Sequence, residues 1–269
     1  MTFLPEIEKI VDIALLASQK VLEVYGQDDF KTEVKDDNSP LTLADKVSQE
    51  TILKGLKQSF PDIPVISEES AQASFKERED WEYFWLVDPL DGTKEFIKRN
   101  GEFTVNIALI KKNRPILGVV SLPAKGVLYF GQEGKGAFKQ SFSDSPLPIS
   151  VKKNPGSKVV MARSRSHASH QEAEISALFT ETQEVAAGSS LKFCYVAEGK
   201  ADLYVRLGRT MEWDTAAGQA VLEASGGKIF DLTGATLLYN KEGLDNRGFF
   251  SIGGRADIEL IIKDYINKR

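Results

Sequence analysis

The sequence contains few of the residues on which covalent catalysis and soft-metal binding most often depend. Its 269 residues include one cysteine, Cys194, and two histidines, His167 and His170. A single cysteine cannot form a disulfide within the chain, which favours a reducing compartment. Neither histidine stands in a pattern with serine, cysteine or aspartate that is typical of a covalent nucleophile. A metal site in this chain would use oxygen ligands, which favour a hard divalent ion such as Mg²⁺.

Long apolar runs and an excess of basic residues are also missing. No stretch approaches the length of a membrane span, and the first residues predict an acidic amphipathic helix rather than a signal peptide. The net charge of −5 gives no basic surface suited to a nucleic acid polymer. The hydrophobic content of 42% is ordinary for a soluble globular enzyme. We therefore expect a cytoplasmic protein without a transmembrane segment.

The most informative segment is Asp-Pro-Leu-Asp-Gly-Thr at residues 88–93, which directly follows the apolar run Phe84–Val87. The run predicts a short buried strand that ends at Asp88, because proline does not continue a strand ladder. Two carboxylates three residues apart on a tight turn repel each other unless a cation lies between them. Gly92 allows the backbone to approach a ligand closely. The segment indicates a metal-assisted phosphate site, although an Asx turn with solvated aspartates is the simpler alternative for this motif alone.

Three further acidic clusters bear on the choice between a metal site and a simple Asx turn. Glu68 and Glu69 end a short apolar strand, Asp45 lies three residues after the predicted helix cap Thr42, and Asp214 opens a helix of small residues. Each has an ordinary structural explanation as a strand end, a capping box or a carboxylate that complements a helix dipole. Together with the 88–93 segment, they favour a metal site.

Periodicity and turn signals predict a mixed α/β protein. The expected lobes are residues 1–145, with metal-binding strand ends and an antiparallel meander, and residues 146–269, an α/β lobe that completes the site. The boundary falls in the Ser-, Pro- and Asn-rich stretch 141–155. Helices are predicted over 5–25, 42–60, 171–179, 189–197, 214–224 and 256–267. Strands are predicted near 65 and 84 and over 103–110, 116–122, 127–130, 158–162, 201–205, 228–230 and 249–252.

Three motifs together resemble the lithium-sensitive, magnesium-dependent phosphatase superfamily of inositol monophosphatase. They are Ser-Glu-Glu at 67–69, the 88–93 segment, and Trp-Asp-Thr-Ala-Ala-Gly at 213–218. Within that superfamily, residues 91–108, 164–167 and 188–199 resemble the 3'(2'),5'-bisphosphate nucleotidase branch. Inositol monophosphatases usually carry Thr-Asn where this chain has Lys94-Glu95. The resemblance implies a layered α-β-α-β-α sugar-phosphatase-like fold with two intimate lobes.

The resemblance also implies roles for particular residues. Two or more Mg²⁺ ions would be held, one by Glu68, Asp88 and the Leu90 carbonyl, and another by Asp88, Asp91 and Asp214. Thr93 and Asp45 would orient the attacking water, with help from Glu68, and the backbone of Gly92 and Thr93 would hold the phosphate. The residues expected to contact the substrate are Glu68, Leu90, Asp91, Gly92, Thr93, Ser189, Lys192 and Asp214. The expected reaction is removal of the 3'-phosphate from adenosine 3',5'-bisphosphate, and from 3'-phosphoadenylyl sulfate, within sulfur assimilation.

The sequence does not identify which residues bind the second phosphate. Cationic or hydroxyl candidates are Lys94, Lys98, Arg163, Arg165, Ser189, Ser190, Lys192 and Arg209. Residues 164–167 either contact the base or form a solvated loop, and Ser189 either binds an anion or only caps a helix. The alternative functions are an inositol monophosphatase or other sugar phosphatase of the same fold, and a catalytically silent binding protein. Some relatives lie on the inner membrane face, and the sequence does not indicate an oligomeric state.

Overall fold

The computed structural model describes residues 5–30, 32–34, 40–154, 156, 158–164 and 170–268. Within these ranges the helices are α1 (Ile7–Tyr25), α2 (Leu43–Ser59), α3 (Phe75–Arg78), α4 (Thr93–Ile97), α5 (His170–Ser176), α6 (Leu191–Ala197), α7 (Ala216–Ala224) and α8 (Ala256–Asn267). The strands in the same ranges are β1 (Glu33–Val34), β2 (Pro40–Leu41), β3 (Val65–Ser67), β4 (Tyr83–Asp91), β5 (Thr104–Lys111), β6 (Arg114–Leu122), β7 (Val127–Gln132), β8 (Gly136–Ser141), β9 (Leu147–Ile149), β10 (Val159–Ser164), β11 (Thr182–Ala187), β12 (Leu203–Arg206), β13 (Thr210–Met211), β14 (Lys228–Asp231), β15 (Asp245–Asn246) and β16 (Phe249–Ile252). None of these helices is long and apolar enough to cross a membrane.

The larger sheet has seven strands in the order β3-β4-β5-β6-β7-β8-β9. Only β3 and β4 are parallel, and the other neighbours form the antiparallel meander that the turn signals predict. Strands β8 and β9 were not predicted, because their side chains are mostly half-buried or exposed and give little hydrophobic signal. The last strand of the sheet, β9, spans Leu147–Ile149 and therefore lies just beyond residue 145, the predicted end of the first lobe.

Both faces of this sheet are covered by helices. Trp85 and Val87 on β4 pack in the core formed with α1 and α2, whereas Phe84 and Leu86 pack in the core formed with α6 and α7. A strand that is buried on both faces needs apolar residues at successive positions, which explains the continuous apolar run before Asp88.

Helix α7 lies unusually close to the larger sheet because two glycines face it. A Cβ atom on Gly118 would lie 2.4 Å from the carbonyl oxygen of Ala217. A Cβ on Gly131 would lie 2.8 Å from the Cβ of Ala224. The missing side chains allow the helix backbone to approach the strands directly, which fixes the position of α7 and of the segment that precedes it.

The second sheet has five strands in the order β11-β10-β12-β16-β14. Its inner face packs against α6 and α7 through Tyr204 and Phe249, and its outer face packs against α5 and α8 through Ile175 and Ile258. The layers therefore follow the α-β-α-β-α order that the resemblance implies. Edge strand β11 was not predicted, because its side chains are largely polar and exposed.

Candidate active site

Strand β4 carries the central motif past its proline. The sequence places the end of this strand at Asp88, and this prediction is wrong. Pairing with β5 shifts between Asp88 and Asp91 and resumes where Asp91 faces Thr104. The bulge is held from two sides, because the Leu90 N–H donates to Oδ1 of Asp88 at 3.0 Å and the Ser48 hydroxyl donates to the Pro89 carbonyl at 2.7 Å. A bulge accommodates proline within a strand because the ladder is interrupted there.

Three carboxylates from distant parts of the chain meet at this bulge. Oxygens of Glu68, Asp88 and Asp214 all lie within 4.8 Å of one another. Glu68 follows β3, the parallel neighbour of β4, and its N–H donates to the Val87 carbonyl at 3.1 Å. Asp214 precedes α7, and its Oδ2 accepts a hydrogen bond from the Met211 N–H at 2.8 Å. The topology thus brings together three residues that the sequence assigns to a metal site.

The electrostatics of this cluster suit a bound cation. Burial raises the pKa of Asp88 well above its usual value, and the charges of Glu68, Asp91 and Asp214 raise it further. Burial also raises the pKa of Asp214, with Asp91 as the largest repulsive neighbour. A divalent cation would relieve both effects, and a donor set made only of oxygen atoms fits a hard ion.

Asp91 occupies a different position from the other predicted ligands. Within the described residues it lies outside the group of three, and its Oδ2 accepts hydrogen bonds from the Ser190 N–H at 2.8 Å, the Ser190 hydroxyl at 3.2 Å and the Thr104 hydroxyl at 3.3 Å. Burial raises the pKa of Asp91, whereas the charge of Lys192 opposes that shift. The roles of Asp91 and of the Leu90 carbonyl as metal ligands stay predictions.

The pair Thr93 and Asp45 is brought together as the resemblance implies. Oδ2 of Asp45 accepts hydrogen bonds from the N–H and the hydroxyl of Thr42, both at 2.7 Å, and so completes the predicted capping box of α2. Oδ1 of Asp45 lies 3.3 Å from the Thr93 hydroxyl, which also lies 3.4 Å from the Leu90 carbonyl. Asp45 is buried, so its two oxygens serve the helix cap and the candidate site separately.

Gly92 joins the strand to α4 in a conformation that few other residues adopt. Its φ angle is 91°, and a Cβ atom there would lie 2.2 Å from the Ser189 hydroxyl oxygen. That hydroxyl lies 2.9 Å from the carbonyl oxygens of both Asp91 and Glu102. The Gly92 backbone and the 188–190 turn are therefore in close contact.

A cavity of about 170 Å³ opens beside these groups. Asp91, Asp214, Glu95 and the 188–189 backbone line it, together with Gly92, Ser164, Lys192, Phe193, Tyr204, Arg206, Thr210, Thr215 and Phe249. Lys192 is buried, and its Nζ donates to the Ser189 carbonyl at 2.7 Å and lies 5.2 Å from the centre of the Tyr204 ring. Burial lowers the pKa of Lys192 to about 8, against the opposing charge of Asp91.

Arg206 is a charged cavity residue that the sequence did not lead us to predict. It ends β12, and its Nε is buried without a hydrogen-bond acceptor in the described part of the chain. An arginine directly after an apolar strand is the same signal that identified Asp88 and Glu68, so the position could have been found. An unsatisfied buried donor that lines a cavity indicates a place for an anionic ligand.

The other cationic candidates lie elsewhere or outside the described residues. Arg209 is exposed and pairs with Asp245 at 3.0 Å, and Nε of Arg163 lies 2.8 Å from Glu184. Lys94 and Lys98 are exposed and do not line the cavity. Arg165 and His167, and with them most of the 164–167 segment, lie outside the described residues. Ser190 does not open a free anion site, because its N–H is bound to Asp91.

A sequence model of the inositol monophosphatase family matches residues 5–261. The chain belongs to the inositol monophosphatase family. It is 44% identical over 245 residues to the 3'(2'),5'-bisphosphate nucleotidase CysQ of Salmonella typhimurium, covering 90% of this chain and 98% of the relative. The protein of the same name from Escherichia coli strain K12 is also 44% identical, with the same coverage. The crystal structure of CysQ from Bacteroides thetaiotaomicron aligns with a TM-score of 0.82 at 39% identity, covering 93% of this chain and 97% of that one.

Proposed function

We propose that this family member is a magnesium-dependent 3'(2'),5'-bisphosphate nucleotidase. It would remove the 3'-phosphate of adenosine 3',5'-bisphosphate, leaving AMP, and would act on 3'-phosphoadenylyl sulfate in the same way. The observation that carries the proposal is that Asp214 belongs to the acidic cluster and also lines the cavity that contains Lys192 and Arg206. A site for one phosphate thus adjoins a second set of anion-binding groups. The relatives named as nucleotidases support the same assignment.

The acidic residues would hold the metal ions. Glu68, Asp88 and Asp214 supply clustered oxygens, and we propose that Asp91 and the Leu90 carbonyl complete the ligand set for two or more Mg²⁺ ions. When bound, such ions lower the pKa of water and neutralise charge on the phosphoryl oxygens.

The chain's own residues would position the reactants. The Thr93 hydroxyl, which donates to Oδ1 of Asp45, would accept a hydrogen bond from the attacking water, and Asp45 would accept the proton along this pair. The backbone N–H groups of Gly92 and Thr93, at the left-handed turn that leads from β4 into α4, would hold the reacting phosphate. Glu68, beside the same site, would help to orient the water.

The second phosphate would be recognised by cations that lie in the cavity. We propose contacts to Lys192 and Arg206, supported by Ser189 in the adjoining turn. Inositol 1-phosphate and 3'-AMP lack a second phosphate and would make no contact of this kind with Lys192 and Arg206. Charge-assisted hydrogen bonds to such groups are worth about 1.5–3 kcal/mol each, so the bisphosphate should be strongly preferred.

The deciding experiment measures kcat/KM for adenosine 3',5'-bisphosphate, 3'-AMP and inositol 1-phosphate at one Mg²⁺ concentration. We expect the bisphosphate to be preferred by at least a hundredfold and Arg206→Ala to reduce its hydrolysis far more than that of 3'-AMP. Equal efficiency with inositol 1-phosphate would favour the alternative of an inositol phosphatase and leave the hydrolytic site in place. Absence of phosphate release from every substrate would instead favour a silent binding protein.

The biological role follows from the substrate. Adenosine 3',5'-bisphosphate is a by-product of sulfate activation, so we propose that the enzyme removes it during sulfur assimilation. We place this activity in the cytoplasm, where the single, buried Cys194 would stay reduced. Attachment to the inner face of the membrane is compatible with the proposal and is not required by it.

A further inference from the structure

Glu95 is a carboxylate inside the cavity that the proposed mechanism does not use. It lies on α4, is half-buried and lines the cavity together with Lys192. Its Oε2 is 3.5 Å from the point that a Cβ atom on Gly92 would occupy, and its Cγ is 3.3 Å from the corresponding point on Gly188. Glu95 therefore packs between the backbone proposed to hold the reacting phosphate and the turn that leads to the second anion site.

The other two cavity carboxylates contact groups of the site already described. Asp214 belongs to the acidic cluster, and Asp91 accepts hydrogen bonds from Ser190 and Thr104. Glu95 lies outside that cluster among the described residues, yet its charge is close enough to Lys192 to favour the protonated form of that side chain. It contributes a negative charge to a cavity whose ligand would also be an anion.

A carboxylate in such a place repels a bound phosphate, and a hydrogen bond that it accepts from the ligand offsets this repulsion. The donors on an adenosine bisphosphate are the free ribose hydroxyl and the exocyclic amino group. Glu95 packs against Gly92, beside the reacting phosphate, and the hydroxyl on the neighbouring ribose carbon is the closest donor to that phosphate. The geometry therefore favours the hydroxyl over the more distant base.

We propose that Glu95 accepts a hydrogen bond from the ribose 2'-hydroxyl next to the reacting 3'-phosphate and thereby selects ribonucleotides over 2'-deoxyribonucleotides. This inference rests on the proposed nucleotidase function and makes Glu95 a specificity-determining residue. It also gives a physical reason for a glutamate at the position where inositol monophosphatases usually carry asparagine.

The test compares adenosine 3',5'-bisphosphate with 2'-deoxyadenosine 3',5'-bisphosphate by the ratio of their kcat/KM values. Removing Glu95 also removes its repulsion of the phosphates, but this effect is common to both substrates and cancels in the ratio. We expect the unaltered enzyme to prefer the ribonucleotide by about tenfold, as a hydrogen bond to a charged acceptor would provide. The ratio should fall to about one in Glu95→Ala and lie between these values in Glu95→Gln, which keeps an acceptor oxygen.

Glu133→Ala is the matched control, because Glu133 is an exposed carboxylate that lines a different cavity, and its ratio should equal that of the unaltered enzyme. Thermal unfolding of each variant checks that the fold is retained. An unchanged tenfold ratio in Glu95→Ala, or a ratio of one in the unaltered enzyme, would overturn the role of Glu95 while both substrates are still hydrolysed. Failure of the unaltered enzyme to hydrolyse either bisphosphate would overturn the nucleotidase proposal itself, and the role of Glu95 with it.

Discussion

The backbone N–H of Ser190 lies 2.8 Å from Oδ2 of Asp91, a residue 99 positions earlier in the chain. The Ser190 hydroxyl also lies 2.8 Å from the backbone carbonyl of Asp214. One serine therefore touches both the strand that carries the central motif and the segment that leads into α7. The relative positions of Asp91 and Asp214 depend on this turn as much as on the sheets that support them.

Asp214→Asn should abolish activity and stabilise the metal-free protein. Burial and the charge of Asp91 raise the pKa of Asp214 in the folded state. A carboxyl group with a raised folded pKa loses stability as pH rises above its unfolded value of about 4, so a neutral amide removes a cost at pH 7.5. We expect turnover to fall by at least about a hundredfold, because loss of a group that merely hydrogen-bonds a metal ligand already costs about 10–100-fold.

Thermal unfolding in a chelator measures the second effect. The unfolding temperature of Asp214→Asn should rise by about 2–4 °C for each kcal/mol gained, and the gain should shrink as pH approaches 4. Asp245→Asn is the control, since the half-buried Asp245 lies outside the acidic cluster of the described residues and forms an ion pair with the exposed Arg209. Near-normal turnover at limiting Mg²⁺ would show that Asp214 is not a ligand.

Thr93→Ala should lower kcat by about a hundredfold and change KM much less. The hydroxyl is proposed to orient water, an interaction that matters most in the transition state. The backbone N–H groups of Gly92 and Thr93 remain in the variant and would still hold the phosphate. Thr93→Ser, which keeps the hydroxyl, should recover most of the activity. Weakened binding with unchanged kcat would instead make Thr93 a substrate-binding residue.

The pH dependence of kcat/KM should reflect Lys192. Its pKa is lowered from 10.5 to about 8 by burial, so the free enzyme loses this positive charge as pH rises through about 8. Binding of the second phosphate then weakens, and kcat/KM for the bisphosphate should fall above that pH. In Lys192→Arg the guanidinium stays charged, and the fall should move to higher pH. An identical alkaline limb in both enzymes would assign it to another group.

Gly92→Ala and Gly126→Ala separate backbone strain from loss of the site. Both glycines have positive φ angles, 91° and 61°, so an alanine at either position is strained by about 1–2 kcal/mol. A Cβ on Gly126 meets nothing within 4 Å, whereas one on Gly92 would collide with the Ser189 hydroxyl. Gly126→Ala should lose a little stability and keep its activity, and Gly92→Ala should also lose activity by orders of magnitude. Equal activity in the two variants would contradict the role of the Gly92 contact.

The sequence could predict the parts of the molecule that depend on local rules. The capping box of Thr42 and Asp45 is a short-range pattern, and the structure contains it. Glu68 and Asp88 can be identified because each follows an apolar run, and the parallel pairing of β3 with β4 brings the two positions together. These positions required no knowledge of long-range packing.

Other features depend on contacts that no local pattern contains. The bulge at Pro89 is supported by Ser48 on α2, whose hydroxyl donates a hydrogen bond to the Pro89 carbonyl. Edge strands β9 and β11 pair through backbone atoms while their side chains stay largely exposed, so they give no clear hydrophobic period. Lys192 and Arg209 looked equivalent as cations, and only the fold buries the first and exposes the second.

The close packing of α7 on Gly118 and Gly131 has a consequence for how the protein is made. The seven-stranded sheet is complete at Ile149, but the helix that covers one of its faces ends only at Ala224. A ribosome adds about 5–20 residues per second, so that apolar face stays bare for several seconds after its last strand has been synthesised. During this interval the nascent chain can aggregate through the uncovered face. Expression at a lower growth temperature or with added chaperones should therefore increase the yield of folded enzyme.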